Sequence, residues 1–365
     1  MVVFDCERMK HPNTGLYVFC DNVAGNLVKQ KASLIDGLGF FAPAACVGRW
    51  GENVAYMAVR QGYKVFMPRF EKVRVWHSAY QLTRYIPPKP IRQILTVHDL
   101  NFLYEKPKYK HDRYLWALQK HIDRADYIVA ISESTKLDLM NNVDLRGKYV
   151  EVVYNGLNHF AGDIVPPGKV PQGKFLFTVG TVLPKKNFHV LPALLTDNEY
   201  SLIIAGNRSA YADRIMEEAE KWGVSSRVHI VGPVPESVKF WYIKNCSAFM
   251  FPSVAEGFGL PVIEAMYYQK PIFLSDHTAL PEIGGPDAFY FDHDFNPDIM
   301  RQQFRTGMEA YEKGVVDMES MKNRALSFSW ERTARRYIEI YNELSGGGRN
   351  DAAVADSSAR FTRSE

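Results

Sequence analysis

Residues 249–285 constrain the fold more than any other part of this chain. The apolar run 249–251 predicts a buried strand, and the loop that follows, 256–260, contains two glycines. A helix is predicted from Pro261, because proline is favoured at the first helical position, where its missing N–H costs nothing. Residues 272–274 predict the next strand. Strand, loop, helix and strand in this order are typical of a parallel α/β sheet.

The same loop predicts a binding site. Two glycines at a helix N-terminus expose backbone N–H groups, which together with the helix dipole attract a phosphate. Glu256 precedes the helix and Glu264 is predicted in its first turn, and both would repel a phosphate, so we expect them to bind hydroxyl groups. Phosphate and polyol together indicate a sugar nucleotide. Simpler explanations remain: Glu264 as a partner of the helix dipole or part of a capping box, and Glu256 as a solvated loop acid.

The composite string from Glu256 to the A-L-P-E segment resembles the donor-binding core of the retaining glycosyltransferases of family 4. The resemblance spans about residues 90–345 and implies an α/β GT-B fold, with two doubly wound Rossmann-like domains facing across a cleft. It also implies roles for single residues. Glu256 would hold sugar hydroxyls near the reacting carbon and Glu264 would hold the ribose. The N–H groups around Phe258, Gly259 and Leu260 would stabilise the departing diphosphate.

A second segment carries the same resemblance. The strand predicted at 175–179 leads into Gly180, Thr181 and the pair Lys185 and Lys186, and a helix is predicted after Asn187. Lysines beside a glycine turn at the rim of a parallel sheet suit a diphosphate, although two adjacent lysines are equally typical of a solvated surface. The string V-G-T-x-x-P-K-K-N resembles family 4, which implies that Lys186 grips the donor diphosphate. Many members carry Arg where this chain has Thr181, and Lys185 is the candidate for the missing charge.

Two histidines follow strands predicted at 73–76 and 94–97; a further strand is predicted at 64–67. In an open α/β sheet, ligands bind at the carboxyl ends of the strands, which is where His98 would lie. A lone histidine is more often structural, but V-H-D-L-x-F resembles family 4, which implies that His98 reaches the donor sugar. His77 is a weaker candidate on the acceptor side. Gly15, at a strand-to-helix turn, is another, and a plain tight turn also explains it.

Composition sets broad limits. A chain of 365 residues is long enough for two domains with sizeable cores, and a net charge of +3 is too small to indicate nucleic acid. The four cysteines show no metal-like or redox-like spacing, so we expect reduced thiols in a cytoplasmic protein. No run of 18 apolar residues and no signal peptide is apparent, so we expect neither a membrane span nor export.

Residues 60–120 are locally basic, with thirteen Lys or Arg against four Asp or Glu and many interleaved aromatics. This pattern is typical of contact with an anionic membrane, of single-stranded nucleic acid binding, or of a solvated face over an aromatic core. We expect peripheral contact with the inner face of a membrane, and no nucleic acid.

The chain is predicted to divide near its Pro- and Gly-rich segment 166–173. Residues 1–165 would form the acceptor-side domain, and 166–327 the sugar-nucleotide domain. A helix over 328–345 would cross back to the first domain. The tail 346–365 has too few apolar residues to fold. Asp292 and Asp294 form the D-x-D pattern that some glycosyltransferases use for a metal, but we predict a turn there, and neither a metal nor a cofactor.

These observations predict a retaining glycosyltransferase that moves a hexose from a nucleoside-diphosphate sugar, GDP-mannose as a guess, to a glycan or lipid-linked acceptor. Lys186 and the loop N–H groups would stabilise the leaving diphosphate without a metal. Two other classes stay open. A Rossmann-type epimerase or oxidoreductase would depend on nicotinamide, although no G-x-G-x-x-G follows the first strand. A non-catalytic sugar-nucleotide-binding module would bind the donor without turnover.

Overall fold

The computed structural model describes residues 1–12, 14–158 and 160–346. Apart from Gly346, the predicted tail 346–365 lies outside these residues. The strands are β1 Val2–Asp5, β2 Leu38–Ala42, β3 Ala55–Ala58, β4 Val75–Ser78, β5 Arg92–Val97, β6 Tyr127–Ala130, β7 Val150–Val152, β8 Phe175–Val179, β9 Ser201–Ala205, β10 Val228–Gly232, β11 Ala248–Phe251, β12 Ile272–Ser275 and β13 Phe289–Phe291.

The α-helices connect these strands and close the chain. They are α1 Gly15–Lys29, α2 Phe102–Glu105, α3 His111–Arg124, α4 Glu133–Asn142, α5 Tyr211–Lys221, α6 Glu236–Asn245, α7 Leu260–Tyr267, α8 Leu280–Gly284, α9 Pro297–Glu312, α10 Met318–Ser327 and α11 Trp330–Ser345. No helix among the described residues is both long and apolar enough to span a bilayer.

The strands form two sheets, and the strand pairs with a described register are all parallel. The first sheet has seven strands in the order β3-β2-β1-β4-β5-β6-β7, and the second has six in the order β10-β9-β8-β11-β12-β13. Each order reverses once, between β1 and β4 in the first sheet and between β8 and β11 in the second. The doubly wound α/β prediction is therefore confirmed. Ligands in such sheets bind beside these reversal points, at the carboxyl ends of the strands.

Burial explains why the central strands form where they do. Strands β1, β2, β11 and β12 are buried along their whole length. Parallel strands covered on both faces are expected to be continuously apolar, and the sequences of these four strands are mostly so. The edge strand β3 is half-buried to exposed. The sheets are therefore centred on their most apolar segments.

The chain divides into two compact units. The first contains residues 1–95, 124–127 and 331 onward, and the second contains 96–123 and 128–330. Strands β1 to β4 lie wholly in the first unit, and β8 to β13 lie wholly in the second.

Within the first unit, the last helix packs on the strands as the sequence predicts. The Tyr341 hydroxyl lies 2.7 Å from Nδ1 of His77, and the Tyr337 ring packs edge-on against Phe19. Both tyrosines are fully buried. Helix α11 thus completes the core of the first unit, although it is the last helix of the described residues.

Three local predictions are wrong or incomplete. Residues 64–67 do not form a strand: Val65 and Phe66 are 93% and 77% exposed, and the nearby Pro68 has no N–H for a sheet ladder. The helix expected after Asn187 is a 3₁₀ helix, Phe188–Leu195, because Pro192 inside it removes a donor. Strands β2 and β3 were not predicted.

Candidate functional site

The candidate site lies in the second unit, in the loops that follow β8 and β11. These two strands flank the reversal point of the six-stranded sheet. The first loop carries Lys186 and the second carries Glu256, and the Lys186 ammonium lies 2.5 Å from the Glu256 carboxylate. Both side chains are 13% exposed. The fold thus brings together two of the residues that the sequence predicts to act on the donor.

Glycine shapes the first loop. Gly180 has φ +152°, and a Cβ there would lie 3.2 Å from Cε of Lys186, so the glycine leaves room for the lysine stem. A Cβ on Gly206, at the end of β9, would lie 1.9 Å from the Gly180 carbonyl oxygen. Two neighbouring strands therefore end in glycines that allow the loops to approach closely.

The two loops are tied together by backbone and side-chain hydrogen bonds. The Val254 N–H donates to the Lys185 carbonyl at 2.9 Å. The Glu256 N–H donates to the hydroxyl of Thr278 at 3.0 Å. The lysine turn, Pro184–Lys186, ends at Asn187, whose φ is +57°. Lys186 and Glu256 are therefore held by their own backbones as well as by each other.

Helix α7 begins at Leu260, at the end of the loop that carries Glu256. Gly259 caps it with φ +103°, and Phe258 is buried against Phe328 with ring centroids 5.4 Å apart. The first N–H groups of a helix have no intrahelical carbonyl, so this turn supplies backbone donors on the same loop as Glu256, the partner of Lys186. Leu260 opens the helix and is half-buried.

Glu264 lies elsewhere than the sequence predicts. It is the fifth residue of α7, so it lies beyond the first turn, and only 2% of its side chain is exposed. Its carboxylate accepts from the ammonium of Lys239 at 3.0 Å and from the Asn158 amide at 3.2 Å. Glu264 therefore belongs to a buried polar cluster of its own.

The pKa values of Glu256 and Glu264 are shifted in opposite directions. Burial raises the pKa of Glu256, but Lys186 and Lys185 outweigh it and bring that pKa below its usual range. Burial raises the pKa of Glu264 above its usual range, although Lys239 opposes the shift. Glu256 is thus kept ionised by the two lysines of the loop after β8.

His98 and Asp99 pack on the second loop. A Cβ on Gly257 would lie 1.8 Å from the His98 carbonyl oxygen, so only glycine allows this contact. The His98 side chain is 8% exposed. Burial raises the pKa of the Asp99 carboxyl, and Lys185 opposes that shift. The segment after β5 therefore touches the loop that carries Glu256.

Lys185 points to a different acid from Lys186. Its ammonium pairs with the carboxylate of Glu105 at 3.1 Å. Burial lowers the pKa of Lys185, but Glu256, Glu105 and Asp99 outweigh it, so the pKa is raised. Thr181, where relatives of the predicted family often carry Arg, is exposed. Lys185 thus adds a second positive charge beside Glu256.

The two acceptor-side candidates lie in the first unit. His77 is fully buried between Phe4 and Tyr337, with ring centroids 4.9 and 4.5 Å away, and its Nδ1 meets Tyr341. In this conformation its ring presents no surface to a ligand. Gly15 is the first residue of α1, after the N-cap Thr14, and space around it is open.

No group of three or more His, Cys, Asp or Glu that could hold a metal occurs within residues 1–12, 14–158 and 160–346. In the D-x-D segment, Asp292 accepts from the Gln303 amide at 3.0 Å and Asp294 is largely exposed. These two acids do not converge on one point.

Sequence reasoning missed the residues that complete the two acid clusters: Asn158, Lys239, Asp99, Glu105 and Thr278. Each lies far along the chain from the acid or lysine it contacts. Lys239 pairs with Glu236 as well, at 2.9 Å, which is the only one of these contacts that helical spacing signals.

Two family models match the chain. The model described as "Glycosyltransferase Family 4" matches residues 60–159, and the model described as "Glycosyl transferases group 1" matches residues 163–305. The second range contains Gly180, Lys186 and Glu256, and the first contains His98.

Curated relatives are glycosyltransferases as well, and a solved structure shares the fold. The serotype-specific mannosyltransferase WbdA of Escherichia coli is 28% identical over 73% of this chain, which spans only 36% of WbdA. The chain thus covers about a third of that relative's length. O-antigen chain mannosyltransferase B of Escherichia coli is 24% identical over 94% of this chain and 100% of its own. The structure of sucrose-phosphate synthase from Thermosynechococcus elongatus superimposes with a TM-score of 0.72 at 14% identity, over 95% of this chain and 99% of that one.

Proposed function

We propose that the chain is a glycosyltransferase of the kind that the two matching family models describe, and that it transfers a hexose from a nucleoside-diphosphate sugar with retention at the anomeric carbon. The acceptor is a glycan or a lipid-linked glycan, and the place of action is the cytoplasmic side of a membrane. The observation that carries this proposal is the Lys186–Glu256 pair at the sheet reversal, beside the N-terminus of α7.

The lysines and the backbone N–H groups stabilise the leaving diphosphate. As the bond between the anomeric carbon and the diphosphate oxygen breaks, negative charge grows on the diphosphate. The Lys186 ammonium and the N–H groups of Phe258, Gly259 and Leu260 are fixed beforehand and stabilise that charge. Lys185, near Glu256, provides a second positive charge at the same loop. This set of donors supports departure of the diphosphate without a divalent metal.

The acids and His98 orient the sugar. Glu256 stays ionised. Once the diphosphate replaces Glu256 as the partner of Lys186, the Glu256 oxygens accept hydrogen bonds from sugar hydroxyls. His98, on the segment packed against Gly257, orients the sugar from the other side of the loop. The acceptor oxygen then bonds to the anomeric carbon on the face that the diphosphate leaves, and its proton passes to the donor phosphate. Glu264 would bind the ribose after exchanging its present partners.

The choice of donor is supported by the relatives. Several of them carry the name mannosyltransferase, including the O-antigen chain mannosyltransferase RfbU of Salmonella typhimurium. We therefore propose GDP-mannose as the donor and a surface-polysaccharide intermediate as the acceptor.

Titration calorimetry with GDP, UDP and ADP, followed by donor hydrolysis and transfer assays, tests the proposal. GDP is expected to bind most tightly. Lys186→Ala is expected to weaken its binding roughly a hundredfold, because a charge-assisted contact is lost. Glu256→Gln keeps the lysine and removes its competitor, so it is expected to bind GDP at least as tightly while losing transfer. Lys174→Ala, an exposed lysine just before β8, is the matched control.

Several results would contradict the proposal. Unchanged GDP affinity in a folded Lys186→Ala protein would remove the role given to the lysine. Turnover that depends on added nicotinamide would indicate an epimerase or oxidoreductase instead. Donor binding without hydrolysis or transfer, and equal in Glu256→Gln, would indicate a non-catalytic module.

A further inference from the structure

A surface formed by residues 104–120, here called the α3 surface, combines exposed aromatic and basic side chains. It comprises the end of α2, the 3₁₀ turn Lys108–Lys110 and most of α3. Tyr104, Tyr109 and Trp116 are 47%, 77% and 64% exposed. Large aromatic side chains are normally buried, so three exposed ones within one short segment indicate a surface that meets something less polar than water.

The α3 surface is strongly basic. Residues 104–120 contain five Lys or Arg against two acids, Glu105 and Asp112, an excess of three positive charges that equals the net charge of the whole chain, +3. All five basic residues are exposed: Lys106, Lys108, Lys110, Arg113 and Lys120. A binding partner of the α3 surface must therefore be anionic.

Helix α3 has a buried face and an exposed face. Leu118, His121 and Ile122 are buried, whereas Arg113, Trp116 and Lys120 follow one another at spacings of three and four on the outer face. The Lys120 ammonium lies 3.3 Å from the centroid of the Trp116 ring, and the Lys110 ammonium lies 5.5 Å from that of Tyr109. Aromatic rings and ammonium groups are thus presented side by side.

We propose that the α3 surface docks on an anionic phospholipid bilayer. Tyrosine and tryptophan favour the headgroup level, where one part of the ring is apolar and the other wet, and neighbouring lysines bind anionic headgroups. Single-stranded nucleic acid would instead need free ring faces for base stacking. In this surface the best exposed ring of α3 already has an ammonium over its face. The sequence predicted membrane contact over residues 60–120; within the second unit, the structure concentrates it on residues 104–120.

This inference stands apart from the proposed function, since membrane docking needs no sugar nucleotide. The probe is a vesicle of phosphatidylcholine containing about a third phosphatidylglycerol, compared with pure phosphatidylcholine. The full chain is expected to co-sediment with the anionic vesicles only, and less as salt is added. Trp116, one of six tryptophans, is expected to shift its emission to the blue on binding, and Trp116→Phe is expected to lose that shift.

Paired charge reversals supply the decisive comparison. Lys108→Glu with Lys110→Glu is expected to weaken vesicle binding at least thirtyfold, because each lost positive charge near such a surface costs roughly a factor of five. Lys169→Glu with Lys174→Glu, two exposed lysines of the 166–174 segment, changes the net charge equally and is expected to bind like the unaltered protein.

Equal weakening by both pairs would show an unspecific charge effect and overturn the proposal. Binding of an oligonucleotide or an acidic protein in place of vesicles would overturn it as well. Full retention of GDP binding and transfer to a soluble acceptor in the Lys108→Glu, Lys110→Glu protein would separate docking from catalysis and support it.

Discussion

At the scale of single residues, the two glutamates of the predicted donor site have different surroundings. Glu256 is paired with a lysine at the reversal of the sheet, whereas Glu264 is sealed in a cluster with Lys239 and Asn158. Lys239 is also bonded to Glu236, whose side chain is 60% exposed. One lysine thus holds one buried and one solvated acid, which allows the two to be compared.

Glu264→Ala is expected to lower the free energy of unfolding by roughly 3–5 kcal/mol, because it leaves the buried Lys239 ammonium without its buried partner. Glu236→Ala is the matched control, and its loss is expected to stay below about 1 kcal/mol, as for other solvated pairs. Urea unfolding of both variants provides the measurement. Similar losses in the two variants would show that the Lys239–Glu264 pair is not structural.

Asp5, at the end of β1, predicts a pH dependence. Burial raises the pKa of its carboxyl from 3.8 to about 7, and the nearby Glu7 carboxylate adds to the rise, while the Glu7 N–H, Thr83 and Arg8 oppose it. The folded protein therefore binds this proton more tightly than the unfolded chain does. The contribution to stability is complete below about pH 4 and is lost as the pH rises to about 7.

Asp5→Asn should remove this dependence while keeping an oxygen for the Glu7 N–H, which lies 2.9 Å from Oδ1. Relative to the unaltered protein, the variant is expected to gain roughly 2–4 kcal/mol of unfolding free energy between about pH 4 and pH 8. Urea unfolding at both pH values measures the difference, in which the other titrating groups largely cancel. A difference that does not change with pH would show that Asp5 titrates normally.

At the scale of elements, the turn after β7 and the start of α11 are packed backbone to backbone. The Leu157 N–H donates to the Phe328 carbonyl at 3.0 Å, and the Trp330 indole donates to Asn158 at 2.9 Å. A Cβ on Gly156 would lie 2.0 Å from the Trp330 nitrogen. Glycine is thus required for this approach.

Gly156→Ala is expected to lower the free energy of unfolding by roughly 2 kcal/mol or more, since neither backbone segment can move without breaking these bonds. Gly25→Ala makes the same chemical change inside α1, where nothing lies within 4 Å of the new methyl group. That control is expected to stabilise the protein by roughly 0.5–1 kcal/mol. Thermal and urea unfolding distinguish the two, and a harmless Gly156→Ala would contradict the close packing.

Two helices of the second unit differ in whether the protein supplies an anion at their N-terminus. The first N–H groups of α4, those of Glu133 and Ser134, donate to the carboxylate of Glu282 at 2.8 and 3.0 Å. That helix already has an anion from the protein. Helix α7 begins at a glycine cap whose side chain offers no such group. An anionic ligand therefore meets less competition at α7.

At the scale of the whole molecule, the sequence predicted the elements whose cause is local. Apolar runs predicted strands β8, β11 and β12, though not β2, and Pro261 predicted the start of α7 to within one residue. The failures have non-local or subtler causes. The apolar run 64–67 has no sheet to cover it, and Pro192 turns the helix after Asn187 into a 3₁₀ helix.

The candidate site follows the same division. The loop lysines and Glu256 were predicted because each has a recognisable local string. Their pairing was not, because it depends on β8 and β11 being neighbours in the sheet, 70 residues apart at the Lys186–Glu256 contact. The partners of Glu264 lie on α6 and on the turn after β7, and no local pattern connects them to α7.

The contact between Lys186 and Glu256 has a consequence for selectivity. A lysine that is already neutralised by a neighbouring carboxylate has little attraction for stray anions such as inorganic phosphate. A ligand that separates Lys186 from Glu256 must give each of them a new partner. Only a molecule with both an anion for the lysine and hydroxyl groups for the glutamate does so. On the proposed function, the Glu256 carboxylate competes with the donor diphosphate for Lys186, and we expect sugar-bearing nucleotides to displace it more readily than bare phosphates.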